Sequence, residues 1–167
     1  MNKRAPVCVG SVAEGEQKMQ PSVEIGPLSG PLLVTVAYLG FWYYLLVGLQ
    51  RKTKYRLFKE YTADGRQFDR YFGQDPQMLA ADRAVINTQE QMVPFLTAFW
   101  MYALFVSPRV ATVLGMAYIA LRFFYPRLLG KALFRMQPRR VYFVTVPSYA
   151  LIFYMLGATV WQVIGSS

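Results

Sequence analysis

Residues 79–106 read LAADRAVINTQEQMVPFLTAFWMYALFV, and the fold turns on how this stretch divides. Its second half, Met92 to Val106, is uncharged and apolar, but fifteen helical residues span only about 22 Å against a hydrocarbon core of about 30 Å. The run crosses a bilayer only if the helix extends back to about Leu79. That extension carries Asp82, Arg83, Asn87 and Glu90 to membrane depth. Ionisable groups there cost at least ~2.5 kcal/mol each, so they must face a bundle interior or its wet mouth. At 100° per residue, Arg83, Asn87 and Glu90 fall within a narrow arc of one helix face.

The flanking sequence repeats this arithmetic. Pro31 to Leu49 is an uncharged run of about 28 Å as a helix, ending at Gln50-Arg51-Lys52, and Val141 to Ile164 carries no charge, with Pro147 near its start. Val110 to Leu121 is again too short; extended to about Leu129 it takes in Arg122, Tyr125 and Arg127, with Tyr118, Arg122 and Tyr125 on one stripe. Ser107-Pro108-Arg109 between the middle runs is a turn, so these two form a helical hairpin. The expected architecture is an all-α integral membrane four-helix bundle. Its transmembrane domain covers 29–167, with spans near 31–50, 79–106, 109–129 and 141–164. A polar leader, 1–28, precedes it. Residues 51–77 form a structured cytoplasmic loop with turns at Asp64 to Arg66 and Gly73 to Pro76.

Composition supports a membrane setting. Hydrophobic residues make up 54% of the 167-residue chain and charged residues 16%, so a net charge of +9 is better explained by a bilayer surface than by nucleic acid. The basic residues are also unevenly placed. Seven lie in 51–77 and six in 122–140, against Arg109 alone in the middle turn, which puts both basic segments on the cytoplasmic side and both termini opposite. With no histidine, a Ser-His-Asp triad, a Cys-His pair and a His-ligated metal or haem are all excluded. Cys8 is the single cysteine, so there is no internal disulfide and no Cys-rich metal site. The leader lacks a secretory apolar run, and Glu14, Glu16 and Glu24 fit an organellar transit peptide poorly.

Arg83, Asn87 and Glu90 follow the pattern R-x-x-x-N-x-x-E, with Asp75-Pro76 before it and Pro94 after it at the start of the second span. In this the chain resembles the membrane-associated proteins of eicosanoid and glutathione metabolism, which include microsomal glutathione transferases, leukotriene C synthase and microsomal prostaglandin E synthase. The resemblance covers roughly 31–164, and Arg122-Phe-Phe-Tyr125 is similar to the family's third-helix segment. It implies a homotrimer in an endoplasmic reticulum or other intracellular membrane. It also implies a glutathione-dependent transferase, with peroxidase or isomerase chemistry as variants, acting on a lipophilic electrophile drawn from membrane lipid. Two positions depart from the family's pattern: Ile86 replaces a polar or basic residue, and Leu128-Leu129 stands where catalytic branches carry another tyrosine.

Glutathione carries two carboxylates, an ammonium and a thiol, and the implied roles follow. Arg83, Arg122 and Arg51 would hold carboxylates, Glu90 the ammonium, and Asn87 and Tyr125 would donate or accept alongside them. Arg139 or Arg140, at the mouth of the fourth span, would stabilise the thiolate. The same residues also admit structural uses: Arg83 and Glu90 neutralising one another, Arg122 snorkelling, and Arg139 and Arg140 anchoring orientation. The functional alternatives are a non-catalytic lipid-binding or scaffold protein of this fold, and a small subunit of a larger membrane complex.

Thirteen basic residues in two segments predict that 51–77 and 122–140 share one side of the membrane. Cysteine-accessibility labelling should place position 64 on the opposite side from the C-terminus; the same side for both would reject this topology.

Overall fold

The computed structural model describes residues 25–135 and 139–165; of residues 25, 130–135, 139 and 140 it describes only the helical course. The described residues are helical apart from short turns: α1 (Ile25–Tyr43), a π-helical segment (Tyr44–Arg51), α2 (Lys52–Ala63), α3 (Pro76–Glu90), α4 (Met92–Phe105), α5 (Pro108–Arg135) and α6 (Arg139–Gly165). Four rods result. The first runs unbroken from α1 through the π segment to the end of α2, the second is α3 with α4, and α5 and α6 complete the bundle. The 26–63 helix and the 141–165 helix are each long and apolar enough to cross a membrane.

The first rod continues well past the apolar run, so only 64–75 of the basic segment is non-helical. Gly65, at φ 67°, supplies the left-handed residue that reverses the chain after α2. Asp69 Oδ1 accepts from the N–H groups of Tyr71 and Phe72, both at 2.9 Å, and these bonds hold its carboxyl below the usual range. Asp75 then caps α3, accepting from the N–H of Gln77 (2.8 Å) and Met78 (3.2 Å), with Pro76 at the first helical position. Tyr61 donates to its second oxygen at 3.1 Å, which raises the tyrosine's pKa. The Asp-Pro pair thus has a local reason to exist: it starts the second rod.

Pro94 explains the break between α3 and α4. Lacking an N–H, it cannot bond the carbonyl of Glu90, and the helix is interrupted at Gln91. Two carbonyls beside the break take side-chain donors from other helices. Tyr38 Oη donates to Thr88 O at 2.9 Å, and Arg122 donates to Asn87 O at 3.1 Å.

Beneath the break lies an aromatic core. Phe95 stacks on Tyr118 with centroids 3.9 Å apart and planes 5° from parallel, with Tyr38 and Phe99 at 4.9 and 5.5 Å from Phe95. Small residues let the rods close around it: Ala98, Ala103, Ala111 and Gly115 are buried there. Large apolar side chains, among them Leu33, Val36, Val113, Phe153 and Trp161, point outward from the bundle. That inversion suits a lipid surround and would be costly in water.

A methyl group on Gly115 would lie 2.6 Å from Val34 Cγ1 and 2.7 Å from Phe99 Cε2. Alanine's better helix propensity, about 1 kcal/mol, is set against an overpacking cost of about 1–3 kcal/mol at a junction of three helices. Gly115→Ala should therefore destabilise the bundle, read as an earlier midpoint on unfolding with SDS; a later midpoint would mean that α1 and α4 yield freely.

Candidate functional site

The polar residues of the two short spans meet at one junction, where α3, α5 and the start of α4 come together. Arg122 is its centre, only 1% exposed although it carries a full charge. Its guanidinium bonds the Asn87 carbonyl and lies 5.7 Å from the Tyr118 ring centroid and 5.3 Å from that of Tyr125. No carboxylate pairs with it among the described residues, and its Nε has no hydrogen-bond partner. Asn87 Oδ1 and Gln91 Oε1 are likewise buried without partners, as is Thr145 Oγ1 on α6. The hydroxyls of Tyr118 and Tyr38 lie in the same neighbourhood and interact with the guanidinium and with each other, without close hydrogen-bond geometry at the Tyr118 oxygen. Buried polar groups are almost always satisfied, so the spare Nε of Arg122 beside the spare Oδ1 of Asn87 makes this junction the candidate site.

Arg83 and Glu90 lie on the exposed side of the same helix. They form no ion pair with each other among the described residues, although both interact electrostatically with Tyr125. Mutual neutralisation is therefore not how this chain uses them. Asp82, from the same stretch, is committed elsewhere: Lys54 pairs with it at 2.9 Å and Gln50 donates to it at 2.9 Å, tying the second rod to the first.

Five of the sequence-derived residues, Arg83, Asn87, Glu90, Arg122 and Tyr125, thus gather around one junction. Arg51 does not join them within a single chain. It lines a separate cavity with Lys52, Lys54 and Arg70. The side chains of Arg139 and Arg140 lie outside the described residues; their backbone opens α6. Sequence reasoning missed Gln91, which donates to Tyr149 Oη at 3.2 Å and so ties the helix break to α6. Gln91 could have been noticed as the polar residue three before Pro94, where a break frees the side chain. Between α5 and α6 an apolar cleft of about 670 Å³ opens outward, bounded by Ala117, Ala120, Phe124, Pro147 and Tyr154.

Fold and junction together define a membrane four-helix bundle with a buried polar centre. Profile comparison matches residues 28–161 to the MAPEG family. The chain belongs to that family, the membrane-associated proteins of eicosanoid and glutathione metabolism. Comparisons with curated proteins and with solved structures give no match.

A buried guanidinium without a counter-anion costs several kcal/mol of desolvation, which a carbonyl, two aromatic faces and neighbouring hydroxyls repay only in part. Replacing it by an apolar side chain of similar length, Arg122→Met, should leave the ligand-free bundle as stable as before or more so, by up to about 4 kcal/mol on the scale of buried ionic groups. Thermal unfolding in detergent reads this; a large loss of stability would make Arg122 a strut for the helix break.

Proposed function

We propose that this chain is a glutathione-dependent membrane transferase acting on a lipophilic electrophile. The observation that carries the reading is Arg122, buried without a counter-anion beside the unpartnered Oδ1 of Asn87. The cation suits a glutathione carboxylate and Asn87 can accept from its ammonium or amide, while Arg83 and Glu90 offer the next cation and the next acid at the mouth. A lipophilic second substrate would reach the site from the bilayer, and the apolar cleft between α5 and α6 supports such an entry.

The chemistry required is modest. A free thiol has a pKa of about 8.5, and a guanidinium that lowers it by two units supplies about 2.7 kcal/mol. The thiol proton leaves to solvent, the sulfur attacks the electrophilic carbon, and the displaced electron pair goes to the leaving group or opened oxygen, which is then protonated. Arg139 or Arg140 is the proposed activator, acting electrostatically with no covalent enzyme intermediate.

A homotrimer completes this reading. Arg83, Ile86, Glu90, Val93, Thr97 and Met101 make an exposed stripe along the second rod. Two charges facing lipid would cost at least ~2.5 kcal/mol each, a penalty that neighbouring copies and ligand would relieve. The same copies could bring Arg51 to a neighbour's site. The membrane is proposed to be the endoplasmic reticulum or another intracellular one, with the chain crossing several times and its termini away from the cytoplasm.

Calorimetric titration of reduced glutathione into the detergent-purified protein tests the binding half. Arg83→Ala and Glu90→Ala should each weaken binding by roughly 1.5–3 kcal/mol, the range for hydrogen bonds to charged groups. Unchanged affinity in variants that assemble as wild type does would leave a bundle without this site.

The catalytic half is tested separately. Alanine at the responsible one of Arg139 and Arg140 should lower turnover and the thiolate absorbance of bound glutathione while affinity holds. Higher pH should restore part of the rate, and lysine should rescue only partly. Wild-type turnover and thiolate signal in both alanine variants would make these arginines orientation anchors. Wild-type protein that fails to bind glutathione would point to the non-catalytic alternative.

A further inference from the structure

A second cavity sits where the first rod leaves its apolar run. It has a volume of about 770 Å³, suited to a small-molecule ligand, and lies between the rod and Phe68 and Arg70 of the returning segment. Its walls divide by chemistry. Val47, Tyr55, Phe58 and Phe68 make an apolar lining, and Arg51, Lys52, Lys54 and Arg70 supply the charge. Lys54 is already held by Asp82 and by the carbonyl of Arg70, at 2.9 and 3.0 Å. Arg51, Lys52 and Arg70 form no ion pair among the described residues. Three free cations therefore converge on an apolar hollow.

The hollow is built, and it has a definite depth. Lys54 pins the returning segment at Arg70, the Asp69 turn fixes the next two residues, and Tyr71 and Phe72 stand 76% and 84% exposed beside it. The π segment sets which residues of the rod face the cavity. Its wider ladder ends at Arg51, and the ring of Tyr44 lies over Gly48, where a methyl group would come within 3.1 Å. Val47 belongs to the uncharged membrane run and Phe58 lies eleven residues on, about 16 Å further along the helix. The cavity thus straddles the end of the uncharged run, with Val47 on its membrane side and Tyr55 and Phe58 beyond the cations of the rod.

We infer that this cavity binds one phospholipid with an anionic headgroup, its phosphate held by Lys52 and Arg70 and an acyl chain leaving past Val47. Basic pockets at this depth select anionic lipids through charge at the top and acyl contact below. The inference stands apart from the transferase reading, since it uses none of the residues around Arg122.

Native mass spectrometry of the whole protein in neutral detergent, titrated with phosphatidylglycerol or phosphatidylcholine, is the test. Phosphatidylglycerol should be retained about tenfold more tightly or better. Lys52→Gln with Arg70→Gln should abolish that preference, while Arg56→Gln with Arg66→Gln, which removes the same net charge away from the cavity, should keep it. Val47→Trp, which fills the lower hollow and leaves every charge in place, should also weaken phosphatidylglycerol binding. Glycerol phosphate without chains should fail to compete. Equal loss in both glutamine pairs would mean a diffuse surface charge and overturn the site. Competition by glycerol phosphate would assign it to a soluble anion instead. No preference in wild-type protein, as when a second copy covers the cavity, would also overturn it.

Discussion

A guanidinium held inside a membrane bundle constrains everything packed around it. Arg122 must be drawn out of water and given acceptors, and Asn87 O supplies one while it still accepts from Gln91 N in the next turn. Pro94 breaks the second rod just beyond, at Gln91. Tyr38 satisfies the neighbouring carbonyl and carries the first rod into the same cluster. The aromatic stack of Tyr38, Phe95 and Tyr118 follows from that meeting, because those residues flank the break and the cation on three different helices.

Such a centre is poor economy for a protein concerned only with stability. An apolar side chain at 122 would pack the same space without stranding Nε, and the unpartnered atoms of Asn87 and Gln91 would then have nothing to await. The arrangement makes sense for a site whose missing partners arrive with a ligand rich in carboxylates and amines. Membership of the MAPEG family places such a ligand within the chemistry the fold is known for.

The two ends of the lower half of the molecule divide their labour. The junction around Arg122 is enclosed, whereas the cavity around Arg51, Lys52 and Arg70 lies between the first rod and the returning loop. The Lys54–Asp82 pair and the Gln50 bond join the cavity wall to α3. They also couple the rods, so that the height of the basic cavity and the position of the polar junction are fixed by the same contacts.

Much of this was legible in the sequence. Spans too short to cross without their polar residues required those residues to face inward or toward the mouth; Asn87, Arg122 and Tyr125 do turn into the bundle, whereas Arg83 and Glu90 lie on its exposed side. The Asp75-Pro76 and Asp64-Gly65 signals marked where a helix starts and where the chain turns, since capping and left-handed backbone depend on residues adjacent in sequence. The family pattern was legible for the same reason, being a periodicity on one helix.

What only the tertiary structure decided is which of those residues share a partner. A helical period shows that Arg83 and Glu90 lie on one face, but not that they leave each other unpaired, nor that Asp82 turns away to Lys54 on another rod. Arg51 reads like a member of the same basic set, yet the π segment and the returning loop give it to a different cavity. Tyr149 and Gln91 became part of the junction only once α6 was packed against the break. Sequence fixes a side chain's direction around its own axis, because that depends on local geometry; which axis lies opposite depends on how four helices close together.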